Sequence, residues 1–576
     1  MRGALAVTAV AGFVHMAACD FGDSEAPSTA DLDQGHVLEL PSPPGHDRLA
    51  FAPLSLDAGS TESRTTATAW VGKVPVPLQW SPLLRVGETY GDWAFGRLID
   101  ARGVGLAGPE GICRAPDFSG VLPREGGAWW ITHFECQPGG MSLSKIAAGP
   151  DGGLSVESTR PLDFSAVHGT WVNCAGQVTP WGSHLGTEEY EPDARGFEPG
   201  LSGDQYWARI HRYYGDSTIA RPYHFGWMPE VVIGPDGAPR VTKHLATGRF
   251  SHEIGVVMPD RRTVYQSDDA RQHGGLFMFV ADEADDLSAG HLYAARWTQT
   301  SKDLGGRATL SWIDLGHATN AEIQSAIDAD TRFESMFEAV SAVGELCPEG
   351  SKRVHTASRP EGECLTLRDG ASLLASRLET RRYAAYRGAT TEFVKGEGMA
   401  FDADAGRVYV ALSAIVASAA GEGEPTDTDH VVLPQNPCGG VYAMDLAPGQ
   451  RDAAGHVIDS AFVAVTIEGL VIGTYQDSAC DPDGIANPDN VAYLPGHRAL
   501  MIAEDTRGHE VAMLWHFDTQ AKTLTRVHTA APQAEVTGLS WVPDLHGHGY
   551  LALTHQTDGT RPSEVGVLGP FPVLTR

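Results

Sequence analysis

The chain has 576 residues, and its 73 acidic against 42 basic side chains give a formal net charge of −31. This charge repels phosphate backbones, so we expect no nucleic-acid partner and regard cationic metals as better suited, although an acidic surface that only maintains solubility explains the charge equally well. The chain contains 66 Gly and 36 Pro, and short apolar runs lie between turn residues. This pattern argues against long helices and predicts an all-β chain.

The N-terminus resembles an export signal. Residues 1–19, MRGALAVTAVAGFVHMAAC, carry one early arginine and then an apolar run too short for a spanning helix. The ending MAAC resembles a bacterial lipobox, which would make Cys19 a lipidated mature N-terminus; an ordinary signal peptide cleaved nearby is the alternative. Residues 20–44 are rich in Asp, Ser, Pro and Gly and predict a flexible tether. We therefore expect a bacterial lipoprotein, periplasmic or on the cell surface, held to the membrane only by its lipid, with residues 45–576 as a single domain.

Export would place the other seven cysteines in an oxidising compartment. Cys347 and Cys364 share one polar segment and are the best predicted disulfide pair. Two further pairs are plausible, namely Cys113 with Cys136 and Cys438 with Cys480. If all three form, Cys174 is the remaining free thiol, and a free thiol can also be inert and buried.

Four segments share one pattern, in which an acidic residue leads into an apolar strand, a turn follows, and a second strand ends in polar residues. The leading acids are Glu253, Glu397, Asp489 and Glu535, separated by 144, 92 and 46 residues. These intervals are close to three, two and one times the period of about 40–50 residues that is typical of propeller blades. The repeat predicts a β-propeller of about six blades, each segment being the inner hairpin of one blade.

Radially arranged blades would bring the four leading acids to one mouth of the central channel. The ends of the partner strands would add Asp268, Asp269, Glu504 and Asp505. Carboxylates gathered in this way repel one another unless cations neutralise them, and calcium is the natural partner for oxygen ligands. The alternative is that acids lead these strands only because they are good turn residues.

Residues 314–395 interrupt the repeat. The spacing of apolar residues near 318–345 predicts helix, so we expect a helical insertion between two blades, carrying the Cys347–Cys364 disulfide. Such an insertion would either cap the channel or decorate a rim.

Several longer stretches resemble the PhoX family of secreted bacterial alkaline phosphatases, in family order across most of the chain. The stretches include NCAGQVTPWGSHLGTEE at 173–189, VYQSDDARQHGGLFMFV at 264–280, RGATTEFVKGEGMAFDADAGRVYVALS at 387–413, NPDNVAYLP at 487–495 and AEVTGLSWVPD at 534–544. The resemblance implies a six-bladed propeller whose channel mouth holds iron and calcium and hydrolyses phosphate esters. It implies metal-site roles for Glu135, Glu188, Glu189, Glu253, Glu397, Asp489, Asn490 and Glu535.

The chain departs from the family pattern at one position in the first stretch. Family members commonly carry Thr-Cys-Glu-Glu, whereas this chain has Gly186-Thr187-Glu188-Glu189. A thiolate is a strong iron ligand and a hydroxyl is a poor one, so the departure puts iron, but not calcium, in question. Cys174 is the remaining thiol that could hold iron.

Arg271 and Arg387 are the candidates for phosphate contact, because a guanidinium binds phosphate through two parallel hydrogen bonds. We expect a monomeric, metal-dependent phosphatase acting on small phosphate esters. Two alternatives stay open: a calcium-binding surface lipoprotein without catalysis, and a calcium-dependent phosphodiesterase or lactonase.

Overall fold

Short β-strands joined by tight turns make up most of the chain that the structure describes. The computed structural model describes residues 48–573 apart from 58, 198–204, 217, 342–345, 427, 558 and 560. The predicted signal segment 1–19 with Cys19, and the predicted tether 20–44, lie outside these residues and stay predictions. No helix among the described residues is long and apolar enough to cross a membrane.

Six antiparallel units of four strands, here called blades 1 to 6, follow one another within the described residues. Blade 1 consists of Pro116–Arg124, Gly127–Phe134, Gly140–Ala148 and Leu154–Pro161, and blade 2 of Gly176–Val178, His184–Gly186, Met228–Ile233 and Pro239–His244. Blade 3 consists of His252–Val257, Thr263–Asp268, Leu276–Glu283 and Asp286–Ser301, and blade 4 of Gly396–Asp402, Arg407–Leu412, Gly440–Ala447 and Val463–Ile472. Blade 5 consists of Pro488–Leu494, Ala499–Glu504, Met513–Asp518 and Thr523–Thr529, and blade 6 of Ala534–Leu545, His548–Thr557, Glu564–Pro572 and Gln79–Arg85.

The six blades close into a ring. Blade 6 takes its outermost strand, Gln79–Arg85, from the N-terminal part of the chain, which ties the two ends of the domain together. The innermost strands contact one another in the cyclic order of blades 1 to 6 and back to 1. The predicted all-β propeller of about six blades is therefore confirmed, and the starts of its innermost strands face one another across a central channel.

Smaller elements cover the outside of the ring. Strand Arg307–Thr319 pairs with the last strands of both blade 3 and blade 4 and joins them into one nine-stranded sheet. Arg64–Thr65 adds a fifth strand to the outer edge of blade 5. Short pairs and a small sheet are formed by Leu49–Phe51, Thr68–Val71, Val74–Pro77, Thr89–Tyr90, Trp93–Ala94, Tyr475–Gln476 and Ala479–Cys480. The apolar core lies between adjacent blades, where side chains such as Tyr265 and Trp312 are fully buried.

The insertion differs from its prediction. Helix α1 (Gln205–Tyr214) lies earlier, in blade 2, and the insertion contributes helices α2 (Asn320–Asp328), α3 (Ser372–Leu378) and α4 (Thr380–Arg387). The helical spacing predicted near 318–345 holds only for α2, because residues up to 319 belong to a strand and Phe337–Ser341 pairs in a sheet with Arg359–Leu367 and Lys352–Thr356. Apolar residues at helical spacing were here sheet residues with one buried face, a confusion that short runs permit.

The three predicted disulfides are all present. Cys113 is bonded to Cys136, Cys347 to Cys364 and Cys438 to Cys480. Among the cysteines that the structure describes, the free one is Cys174, and it is buried.

Candidate metal centre

The innermost strands share one feature at the same end of the channel. In five of the six blades, the second residue of the innermost strand is acidic. These residues are Asp117, Glu253, Glu397, Asp489 and Glu535. In blade 2 the equivalent place is taken by Cys174, two residues before the strand begins at Gly176. Each blade therefore delivers one potential metal ligand to the same mouth.

The backbone around four of these acids is bulged. In blades 1, 3, 4 and 5, the first residue of the innermost strand pairs with the second strand, but the next two residues do not, and the acid is one of these two. Pairing resumes at the fourth residue of the innermost strand. A β-bulge bends its strand and re-aims the side chains within it, and here it frees the acidic residues from the ladder. Neighbouring inner strands then approach closely, and a Cβ on Gly398 would lie 2.7 Å from the Cα atom of Asn490.

The ends of the second strands add further acids, because an antiparallel partner ends where the innermost strand begins. Glu135 follows Gly127–Phe134 of blade 1, and Asp269 follows Thr263–Asp268 of blade 3. Glu189 follows the second strand of blade 2 by three residues, and Asp505 follows that of blade 5. Two rings of acids, from first and second strands, therefore surround the mouth.

These side chains form three groups in which the potential ligand atoms all lie within 4.8 Å of one another. The groups are Asp117 with Glu135 and Cys174, Cys174 with Glu189 and Glu253, and Glu253 with Asp269 and Glu397. Cys174 and Glu253 each belong to two groups, and the Cys174 thiol donates a hydrogen bond to Glu253 Oε2 at 3.0 Å. The groups are thus parts of one continuous cluster, and two of the three contain the thiol.

The electrostatics of the cluster follow from burial and like charge. Burial, together with repulsion from the neighbouring acids, raises the pKa of Asp117, Glu189, Glu253, Asp489 and Glu535 well above the usual range. The same causes raise the pKa of Glu397 to about 8, and burial beside the acids raises the pKa of the Cys174 thiol. Without added positive charge, the cluster therefore resists full ionisation.

One lysine lies inside the cluster. The Lys395 ammonium is 2.8 Å from Asp269 Oδ2 and 2.7 Å from Glu397 Oε1. The Tyr190 hydroxyl also donates to Asp269 Oδ2, at 2.5 Å. Burial alone would raise the pKa of Asp269, but Lys395 and these hydrogen bonds hold it below its usual value. Asp269 Oδ1 is buried and has no hydrogen-bond partner, so this oxygen is oriented and available to a cation.

Asn490 fixes the geometry between blades 5, 6 and 3. Its side-chain oxygen accepts a hydrogen bond from the amide of Gly538 at 2.7 Å, and its nitrogen donates to Asp489 Oδ1 at 2.9 Å and to Glu253 Oε1 at 3.4 Å. Because its side-chain oxygen already accepts from a backbone amide, Asn490 does not offer this oxygen freely to a metal ion. Its role in this structure is to orient Asp489 and Glu253.

Glu188 turns away from its neighbour Glu189. Its carboxylate pairs with the buried Lys243 ammonium at 2.7 Å and accepts hydrogen bonds from Thr170 and from the amides of Gly226 and Trp227. Consecutive residues of an extended segment point to opposite sides, so only one of the two glutamates reaches the channel. Glu188 is a structural anchor of blade 2.

Two other predicted ligands are also engaged elsewhere. Asp268 forms a two-point ion pair with Arg381 of α4, at 2.5 and 2.8 Å, and accepts from the amide of Gly275. Glu504 accepts hydrogen bonds from Trp515, His509 and two backbone amides. In each case the next residue, Asp269 or Asp505, is the one that faces the cluster.

The side chain of Thr187 does not face the acids. Its hydroxyl lies 2.6 Å from the carbonyl oxygen of Ala175 and 2.8 Å from that of Glu253. Among the described residues, the thiol that lies with the acids is Cys174.

The two predicted arginines have different positions. Arg387 lies at the exposed end of α4, where it donates to the Tyr383 hydroxyl and covers the Tyr383 ring. Arg271 lies two residues after Asp269 and lines a cavity of about 650 Å³ beside the cluster.

Two residues of the cluster, Asp117 and Lys395, were not predicted from the sequence. The signals that could have identified them are the Pro-Asp pair at the start of the first strand of blade 1 and the lysine two residues before Glu397.

The insertion forms one wall of this cavity. The opposite walls come from Tyr190–Asp193 and Asp269–Gln272, and the insertion supplies Ala357 and Ser358, at the tip of its hairpin, and Arg381. Ion pairs of Asp193 with Arg359 at 2.8 Å and with Arg382 at 3.0 Å hold the hairpin in place. The insertion therefore lies beside the channel mouth as a fixed wall.

Comparison with known proteins agrees with this geometry. The model of the alkaline phosphatase PhoX family matches residues 139–555. A solved structure of Pseudomonas fluorescens PhoX in complex with vanadate, a transition state analogue, is similar at a TM-score of 0.59 and 17% identity, over 91% of this chain and 98% of that chain. A structure of the polysaccharide lyase Uly1 reaches a TM-score of only 0.32 at 8% identity, over 85% of this chain and 98% of that one. No curated protein matched the chain.

Fold and site together define a six-bladed β-propeller with a buried acidic centre, suited to metal ions, at the channel mouth. The family match covers well over half of the chain, whereas the structural likeness, at 17% identity, supports the fold alone. The chain belongs to the alkaline phosphatase PhoX family, and it is a phosphoric ester hydrolase.

The raised pKa values predict how the metal-free protein responds to pH. The pKa of Glu397 is raised from 4.5 to about 8 on folding, so its contribution to stability is fully present below pH 4.5 and is lost as the pH rises through 8. We expect the melting temperature of metal-depleted protein to fall between pH 5 and 8, and to fall less in Glu397→Gln. A melting temperature that rises over this range in the metal-depleted wild type would contradict the assignment.

The adjacent glutamates provide a matched pair of variants. Glu188→Gln removes the partner of a buried lysine and should lower the free energy of unfolding by about 3 kcal/mol, while metal content is retained. Glu189→Gln should lose metal with a smaller loss of stability in the metal-depleted state, because it relieves repulsion among acids. Denaturant unfolding and elemental analysis of both variants measure the difference. The opposite pattern would show that the two glutamates were assigned the wrong way round.

Proposed function

We propose that the chain is a metal-dependent phosphatase of the PhoX type, hydrolysing phosphate monoesters at a centre of calcium and iron at the channel mouth. The observation that supports this most strongly is the convergence of one acid from each of five blades around the Cys174 thiol. No single blade could assemble such a centre, and an uncompensated cluster of this kind opposes its own ionisation.

The donor set divides by chemistry. Glu253, Asp269 and Glu397 offer only carboxylate oxygens, which suit calcium. The two groups that include Cys174 add a soft sulfur donor to hard oxygens, a combination that favours a transition metal such as iron. We therefore assign calcium to the all-oxygen group and iron to the groups around Cys174, with Asp489 and Glu535 as further oxygen ligands at the same mouth.

Metal ions bound here would supply positive charge against the phosphoryl oxygens and activate water as the nucleophile. The protein's own cation for the phosphoryl group is Lys395, whose ammonium lies between Asp269 and Glu397. Tyr190 holds Asp269 in place through its hydroxyl. In the reaction, water oxygen bonds to phosphorus, the ester P–O bond breaks, and the departing alcohol leaves through the adjoining cavity.

We also propose that the chain is exported and anchored through lipid on Cys19, and that it acts as a monomer. The lipobox-like ending of residues 1–19 supports the anchor, and three disulfides are consistent with an oxidising compartment.

The proposal is tested by activity and metal content together. We expect wild-type protein to hydrolyse a chromogenic phosphomonoester at alkaline pH, to contain iron and calcium, and to lose activity on chelation. Cys174→Ser should lose iron, retain calcium and fall at least 100-fold in kcat, whereas Thr187→Ser, as control, should keep both metals. Calcium without iron in an active wild type would exclude the iron assignment, and greater activity on phosphodiesters or lactones would favour the calcium-dependent alternatives.

A further inference from the structure

The cavity beside the cluster contains one charged group without a partner. Its acidic lining residues are each paired: Glu191 with Arg381 at 2.6 Å, Asp193 with Arg382 and Arg359, and Asp269 with Lys395. Arg381 is also paired with Asp268. Arg271 is exposed and forms no ion pair or hydrogen bond with any other residue that the structure describes. Arg271 is therefore a cation of the lining that no described acid neutralises, whereas Arg381 and Lys395 are each shared by two acids.

The remaining lining is small or neutral and polar. Gln272, Ser251 and Ser358 offer amide and hydroxyl groups, and Ala357 leaves space at the hairpin tip. At about 650 Å³, the cavity is of the size that small-molecule sites occupy and exceeds what a phosphoryl group alone needs. Asp269 and Tyr190 form its boundary with the cluster, so an ester whose phosphoryl group lies at Lys395 would extend its leaving group into this space.

We infer that the cavity selects phosphate esters whose leaving group carries a second anionic group, a carboxylate or another phosphate, and that Arg271 binds that group. The inference rests on the proposed function, because it places the reacting phosphoryl group at the cluster. A guanidinium binds carboxylate or phosphate through two parallel hydrogen bonds, which gives direction as well as attraction. Arg271 is then a specificity-determining residue for the leaving group.

The insertion makes this selection possible. The hairpin tip at Ala357 and Ser358 lines the same cavity as Arg271. The hairpin is further fixed by His355, whose ring stacks on that of His273 with the ring centroids 5.1 Å apart. A fixed wall limits how the leaving group can lie and keeps it beside the guanidinium. Arg271 itself stays exposed, so water and salt weaken its attraction for an anion, and the selection should be strongest at low ionic strength.

Two three-carbon substrates test the inference directly. 3-Phosphoglycerate and glycerol 3-phosphate differ mainly in one carboxylate on the leaving group. We expect the wild type to favour 3-phosphoglycerate in kcat/KM by about tenfold at low ionic strength, and Arg271→Gln to lower this ratio to near one. Arg271→Lys should restore part of the ratio. Arg261→Gln, which removes an exposed arginine paired with Asp285 on a distant turn of blade 3, should leave the ratio unchanged.

The outcomes separate the inference from the proposed function. If Arg271→Gln leaves the ratio of the two kcat/KM values unchanged, whether or not both values fall, the inference is overturned while phosphatase activity stands. Failure of the wild type to hydrolyse either ester would overturn the proposed function. In that case calorimetric binding of the two esters still decides the inference, because Arg271→Gln must weaken 3-phosphoglycerate more than glycerol 3-phosphate.

Discussion

Repulsion among the carboxylates buried at the channel mouth determines which charges the surrounding blades can carry and how their side chains pair. Burying an ionised carboxylate costs several kcal/mol even after the surroundings relax. Here acids from five blades lie together at one mouth of the channel. Within the described residues the compensation at the cluster is one ammonium, Lys395, shared by two acids. The remaining charge must be balanced by protons or by bound cations, and at alkaline pH cations are the effective choice.

The backbone of the innermost strands accommodates this gathering of acids. Four innermost strands leave the ladder with a bulge where the acid lies, and glycine lets neighbouring inner strands approach within van der Waals distance. Around this ring, charges that do not face the centre are neutralised in pairs, as Glu188 is by Lys243 and Asp268 by Arg381. Breaking such a pair would destabilise the fold, because it would leave one buried charge without a partner. The pairs also bind the lysine of blade 2 and the arginine of α4 to acids outside the cluster, so these cations do not neutralise the cluster itself.

The sequence predicted the architecture well because a propeller repeats its chemistry. The shared pattern around Glu253, Glu397, Asp489 and Glu535 placed these acids together, but the interpretation of their spacing was wrong. The four acids lie in consecutive blades 3 to 6, so the intervals of 144 and 92 residues each span one blade, lengthened by the insertion and by loops, and not three and two blades. Asp117 of blade 1 was missed, although it too is the second residue of an innermost strand. Sequence also cannot decide which of two adjacent acids faces the channel, since that depends on strand register; thus Glu188, Asp268 and Glu504 were predicted together with their neighbours. Arg387 was misplaced because the helix that carries it was not recognised.

We propose that Cys174 and the surrounding acids hold a transition metal and calcium in one cluster. Anomalous X-ray diffraction from crystals of the full-length protein, recorded on both sides of the iron absorption edge, can locate both metals. We expect an iron-specific peak at bonding distance from Cys174 Sγ, and weaker density among Glu253, Asp269 and Glu397. An iron-free cluster, or a metal bound to Glu188 in place of Glu189, would contradict it.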